Sequence, residues 1–157
     1  MNERKRILAV DDEPNMRRLL EIMLRQAGHQ ALQAVDGHEA LDILRREGAD
    51  LVVSDLNMPG MDGLKLLAEM REEGMDTPFI IVTAQGEVES AVAAMKLGAA
   101  DYLLRPFDLD TLEIAMTRAL SVVRLKNENR YLRAEAERDM PLRAGPQRLQ
   151  RLERRLA

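Results

Sequence analysis

Apolar positions along this chain fall into two kinds of pattern. Ile7-Leu8-Ala9-Val10 and Phe79-Ile80-Ile81-Val82 are short continuous aliphatic runs with polar or charged flanks. That is the pattern of parallel strands buried on both faces. Leu51-Val52-Val53-Ser54 is a third such run and ends on Asp55. Weaker strands read at Gln30 to Ala34 and Asp101 to Leu104. Between the runs, apolar residues recur at helical spacing. Met16, Leu19, Leu20, Met23, Leu24 and Ala27 form one stripe, with Pro14 suited to its first turn and Gly28 to its end. Ala40, Leu41, Ile43 and Leu44 form a second, and Leu64, Leu66, Leu67 and Met70 a third. Val88, Ala91, Val92, Met95 and Leu97 form a fourth, stopped by Gly98. A fifth opens at Asp108, an N-cap type following Pro106, and carries Leu109, Leu112, Met116, Ala119 and Leu120.

Strands alternating with helices predict a parallel sheet covered on both faces. Five units fill about 120 residues, and right-handed crossovers leave few topologies. The expected fold is α/β: a doubly wound, five-stranded parallel sheet in the flavodoxin-like order 2-1-3-4-5, with an extended C-terminal helix. In this order a ligand sits at the carboxyl ends of strands 1 and 3.

The strand ends carry the chemistry. Asp11, Asp12 and Glu13 follow the first strand, and Asp55 ends the third. Thr83 ends the fourth, and Arg105 follows the fifth. In a parallel sheet all of these project from one edge. Carboxylates about 4 Å apart repel by roughly 4 kcal/mol per pair at an effective dielectric near 20. Such a cluster needs a cation or a proton. Its donors are hard oxygens, so Mg²⁺ is the natural guest, with coordination positions left for a phosphoryl oxygen. Thr83 and Arg105 are suited to further phosphoryl oxygens. The constellation fits a phosphoryl group on Asp55, with the protein supplying position and charge.

Composition narrows the alternatives. The chain has no cysteine, which removes thiol nucleophiles, disulfides and cysteine metal sites. His29 and His38 have no ligand spacing and read as surface or structural residues. No apolar run approaches the roughly 18 residues of a membrane span, and the amino terminus does not read as a signal peptide. A cytoplasmic location is the expectation, with no membrane partner. Residues 141–157 hold five arginines against one glutamate, a local +4, so the first 140 residues carry −8 of the net −4. An acidic body with four scattered aromatics, Phe79, Tyr102, Phe107 and Tyr131, is a poor nucleic-acid binder.

The pieces Val10-Asp11-Asp12-Glu13-Pro14, Asp55-Leu56-Asn57-Met58-Pro59-Gly60-Met61-Asp62-Gly63, Val82-Thr83-Ala84 and Gly98-Ala99-Ala100-Asp101-Tyr102-Leu103-Leu104-Arg105-Pro106-Phe107 together resemble the receiver domain of two-component response regulators. The resemblance covers about residues 5 to 122. It implies that Asp55 accepts a phosphoryl group from a sensor histidine kinase. It implies that Asp11, Asp12, Asp55 and the backbone carbonyl of Asn57 organise Mg²⁺. It also implies that Thr83 and Tyr102 move together on activation, altering the surface of helix 4, strand 5 and helix 5. Ala84 leaves room for the phosphoryl group. One position departs from the family, which has a lysine where this chain has Arg105. Arginine offers a planar fork in place of a point charge, so slower phosphorylation or weaker coupling is expected than with lysine.

Two rival readings accompany this one. A phosphorylation-independent interaction module is suggested by Arg105. An aspartyl-nucleophile phosphatase would carry a second carboxylate two residues after its nucleophile, and Asn57 there cannot do proton work.

The chain divides into a receiver domain at 1–122, a helical linker at 123–140 and an Arg-rich tail at 141–157, expected to be poorly ordered. In the linker Val122, Leu125, Asn129, Leu132 and Ala136 follow a heptad, and a single Asn at an a position specifies register and pairing. A parallel homodimer is expected. Residues 125–133 resemble the linker of sigma-54 activators of the nitrogen-regulation class, which leads to an ATPase domain. No Gly-x-x-x-x-Gly-Lys-[Ser/Thr] loop is present, so that output domain would lie outside this chain.

Overall fold

A computed structural model describes residues 4–121. Its five strands are β1 (Arg6–Val10), β2 (Gln30–Ala34), β3 (Leu51–Asp55), β4 (Phe79–Thr83) and β5 (Asp101–Leu104). They alternate with α1 (Pro14–Gln26), α2 (Gly37–Arg46), α3 (Gly63–Glu72) and α4 (Val88–Lys96), and α5 covers 109–121. All neighbouring strands are parallel, in the order β2-β1-β3-β4-β5. The expected doubly wound sheet is what the chain forms.

Side-chain alternation along the strands creates two cores, because successive residues face opposite sides of a sheet. Leu8, Val10, Val52, Phe79 and Ile81 join Leu41, Leu44, Leu66, Leu67 and Met70 of α2 and α3 on one side. Ile7, Ala9, Leu51, Val53, Ile80 and Val82 join Leu20 and Leu24 of α1 and Leu112, Met116 and Ala119 of α5 on the other. Every residue of β3 and β4 is buried, whereas the edge strands β2 and β5 are partly exposed. That difference explains why β2 and β5 carry the weaker sequence signal.

Helix starts are set by side chains that take up orphan N–H groups. Asp36 accepts from Glu39 N at 2.9 Å, Asp62 from Lys65 N at 2.8 Å, and Asp108 from Thr111 N at 2.8 Å. Pro14 stands in the first turn of α1. Gly28 and Gly98 end α1 and α4 at φ of 89° and 101°.

The fourth apolar stripe is not one buried face. Ala91 and Ala94 are buried, while Val88, Val92, Met95 and Leu97 are exposed. Leu19 of the first stripe is exposed too. The small alanines lie against the sheet, which turns the larger residues of α4 outward. Among the described residues no helix is long and apolar enough to cross a membrane.

His29 is structural. Its Nδ1 accepts a hydrogen bond from Lys5 N at 3.0 Å, which requires that nitrogen to be unprotonated. Burial, then the Lys5 charge, lower its pKa below 6.5, against opposing pulls from Glu113 and Asp50. A lowered pKa means the unfolded chain binds the proton more tightly. The contribution is therefore complete above the unfolded value and is lost as pH falls through the folded one. Denaturant midpoints of the parent should fall below about pH 6.5 relative to those of His29→Gln, and a constant difference between the two would refute this.

Candidate functional site

The carboxyl ends of β1, β3, β4 and β5 meet at one edge, as the register requires. Val10 pairs with Ser54, Asp55 with Val82, and Thr83 with Leu104. Asp11, Asp12 and Asp55 each place a carboxylate oxygen within 4.8 Å of the others. Asp11 and Asp55 are buried, and Asp12 is exposed.

Each carboxylate is held differently. Asp11 Oδ1 accepts from Glu13 N at 2.9 Å, and Arg17 donates to the Asp11 carbonyl at 2.8 Å. Burial raises the Asp11 pKa; the Glu13 N–H and Arg105 oppose the rise, while Asp12 and Glu13 add to it. Asp55 Oδ1 accepts from the Arg105 guanidinium, forming an ion pair across the edge. Arg105 precedes Pro106 through a cis peptide bond.

The hydroxyl Oγ1 of Thr83 and Nε of Arg105 are buried and have no hydrogen-bond partner among the described residues. Unsatisfied buried groups cost about 1–3 kcal/mol each and point to a polar guest. Three close carboxylates supply oxygen ligands for a hard divalent cation, and the orphaned donors supply hydrogen bonds for an oxyanion. The residues present therefore fit both Mg²⁺ and a phosphoryl group.

Tyr102 faces outward and is 44% exposed. Asn57 and Ala84, both exposed, sit just past the ends of β3 and β4. The Asn57 side chain donates to Glu87 Oε2 at 2.7 Å, and Ala84 N donates to Glu87 Oε1 at 3.3 Å. Glu87 and Arg17 were not singled out from the sequence, since neither belongs to a strand end or to the quoted motifs. Val122, Leu125, Asn129 and Leu132 lie outside the described residues.

Comparison with known proteins identifies the family of the fold. Residues 7–117 match the family model of the response regulator receiver domain. The chain belongs to that family, the receivers of two-component response regulators. It is 45% identical over 127 residues to the regulatory protein AtoC of Escherichia coli, covering 81% of this chain and 28% of AtoC. It is 41% identical over 133 residues to the C4-dicarboxylate transport transcriptional regulatory protein DctD of Pseudomonas aeruginosa, covering 84% of this chain and 29% of that one. The crystal structure of NtrX from Brucella abortus superimposes with a TM-score of 0.78 at 34% identity, over 83% of this chain and 30% of NtrX. A receiver domain protein from Clostridium thermocellum gives 0.73 at 31% identity, over 76% of this chain and 97% of that chain. The chain thus spans under a third of AtoC and DctD.

Proposed function

We propose that Asp55 is the phosphoacceptor of a phosphorylation-dependent switch. The observation that carries the reading is the meeting of Asp11, Asp12 and Asp55 beside an unpartnered Thr83 hydroxyl. An Asp55 oxygen attacks the phosphorus of a histidine kinase's phosphohistidine. The new P–O bond replaces the P–N bond, and the leaving imidazole takes up a proton. Mg²⁺ held by Asp11, Asp12, Asp55 and the Asn57 carbonyl would supply positive charge for the phosphoryl oxygens. Thr83 then donates to one of those oxygens, and Ala84 leaves room for the group. Tyr102 responds from its outward position, and the surface of α4, β5 and α5 changes with it. The equilibrium is biased only as far as these contacts differ between the two states.

The chain does not turn over phosphate esters in this reading, because Asn57 supplies no proton. Its setting is the cytoplasm, with a sensor histidine kinase as donor. The heptad of Val122, Leu125, Asn129 and Leu132 supports a homodimer. The name of DctD supports a transcriptional output, carried by an ATPase or DNA-binding domain outside this chain. Intact mass after incubation with acetyl phosphate and Mg²⁺ tests the proposal. One phosphoryl group per chain supports it. No gain in mass, or repeated turnover of a generic phosphate ester, contradicts it.

Arg105 sets the rate. Its planar guanidinium already engages Asp55, so part of the nucleophile's charge is spoken for before the donor arrives. Lysine at the same place is a point charge on a flexible stem that can pass from Asp55 to the phosphoryl group. Arg105→Lys should therefore phosphorylate several-fold faster with acetyl phosphate. Equal rates and equal conformational responses to beryllofluoride would dismiss the idea. If beryllofluoride with Mg²⁺ leaves the parent unbound and unchanged, the phosphorylation-independent reading is favoured instead.

A further inference from the structure

We propose that Glu87 is a positioning residue of the switch, an internal anion that holds N–H donors beside Asp55 at rest and ties their release to the start of α4. The inference rests on the phosphoacceptor reading of Asp55. Asp55 pairs with Val82 across the β3–β4 ladder. Continuing that register by two residues brings Asn57 alongside Ala84, immediately beyond the acceptor. One carboxylate spans both: Asn57 Nδ2 donates to Glu87 Oε2 at 2.7 Å and Ala84 N to Oε1 at 3.3 Å.

A carboxylate and a phosphoryl group are both oxyanions and compete for the same donors. The two arms of the clasp are unequal. The Asn57 arm has the length of a strong bond, and the Ala84 arm lies beyond the normal N–H···O range. The Ala84 N–H is therefore the donor ceded first. Negative charge arriving on Asp55 also repels the Glu87 carboxylate. The resting site is closed by its own side chains, with Arg105 on the acceptor and Glu87 on the donors.

The Glu87 carboxylate does not serve its own helix. Aspartate side chains cap α2, α3 and α5, whereas Glu13 at the N-cap position of α1 makes no side-chain cap, and neither does Glu87 at that of α4. The carboxylate is turned back toward the strand ends instead. Glu87 N donates to the Ala84 carbonyl at 3.2 Å, so the residue is anchored to the same loop through its backbone. Letting go of Ala84 and Asn57 frees Glu87 to rearrange the first turn of α4, where Val88 is exposed.

The test uses the full chain as parent, Glu87→Gln, Glu87→Ala and Asp55→Asn, with acetyl phosphate and Mg²⁺. Glu87→Ala should gain phosphoryl mass about five-fold faster than the parent, the effect of freeing one weak bond, with Glu87→Gln between them. Melting temperatures should match the parent's. Without phosphodonor, the amide resonances of Ala84 and of the first turn of α4 should shift in both variants toward their positions in the phosphorylated parent. Rates equal to or below the parent's, with those resonances unmoved, would overturn the clasp while leaving Asp55 as acceptor. A parent that gains no mass, or an Asp55→Asn chain that gains as much, overturns it through its premise.

Discussion

Asp55→Asn is expected to take up no phosphoryl group under conditions that modify the parent to one group per chain. The loss should exceed about a thousand-fold in rate, because a carboxamide has no anionic oxygen to attack phosphorus at neutral pH. The substitution should not unfold the protein. Asp55 contributes one of three carboxylate oxygens gathered within 4.8 Å, so neutralising it relieves repulsion from Asp11 and Asp12. It also removes the partner of Arg105. The Arg105 side chain is 26% exposed, so water takes up part of that loss, and Asp11 remains as a neighbouring charge. The two effects oppose each other, so the net change in unfolding free energy should stay below the roughly 3–5 kcal/mol lost when a fully buried pair is broken. Intact mass and a denaturant melt on the same sample separate chemistry from folding. Chelating divalent cations should suppress labelling of the parent to the same degree. An Asp55→Asn chain labelled at parental stoichiometry would move the acceptor elsewhere.

The fold was legible where apolar residues run unbroken through the middle of an element. β1, β3 and β4 each carry a continuous apolar run, Ile7–Val10, Leu51–Val53 and Phe79–Val82, because both of their faces are covered. The site was legible for a related reason. Parallel strands bring their carboxyl ends to one edge, so Asp11, Asp55, Thr83 and Arg105 could be placed together without coordinates. α4 was less legible. Its apolar residues cover more than one face, and periodicity does not say that Ala91 and Ala94 face the sheet while Val92 and Met95 face out. Glu87 and Arg17 were hidden for a different reason. Each reaches the site by a side chain folding back from a helix start, and the path of that side chain depends on the finished loops. The same limit applies to Arg105. Its charge and position could be read, but not its ion pair with Asp55.

Gly63→Ala should be the most damaging single methyl addition near the site. Gly63 starts α3, and its N–H donates to the Leu56 carbonyl at 2.9 Å. A Cβ there would lie 2.5 Å from the Asp55 carbonyl oxygen, 2.7 Å from Ile81 Cδ1 and 3.1 Å from Leu56 Cα. The Ile81 methyl can rotate away. The Asp55 carbonyl and Leu56 Cα are backbone at the end of a fully buried central strand, and they move only if β3 or α3 shifts. Overpacking of this kind costs about 3 kcal/mol, roughly 10 °C in melting temperature for a domain of this size. Gly37→Ala is the informative comparison. Its Cβ would meet Met61 Cγ at 2.7 Å, Cβ at 2.8 Å and Sδ at 2.8 Å, so the Met61 side chain must rotate and its loop, which is not part of the sheet, must give slightly. Gly37→Ala should therefore cost less than Gly63→Ala, toward the lower end of the overpacking range at about 1–2 kcal/mol. The strain of Gly63→Ala also falls on the backbone that carries Asp55, the proposed phosphoacceptor, so its phosphorylation rate should drop even at temperatures where the variant is fully folded. If the two variants melt together, or if folded Gly63→Ala phosphorylates at the parental rate, then the close approach of α3 to Asp55 is not what holds the acceptor in place.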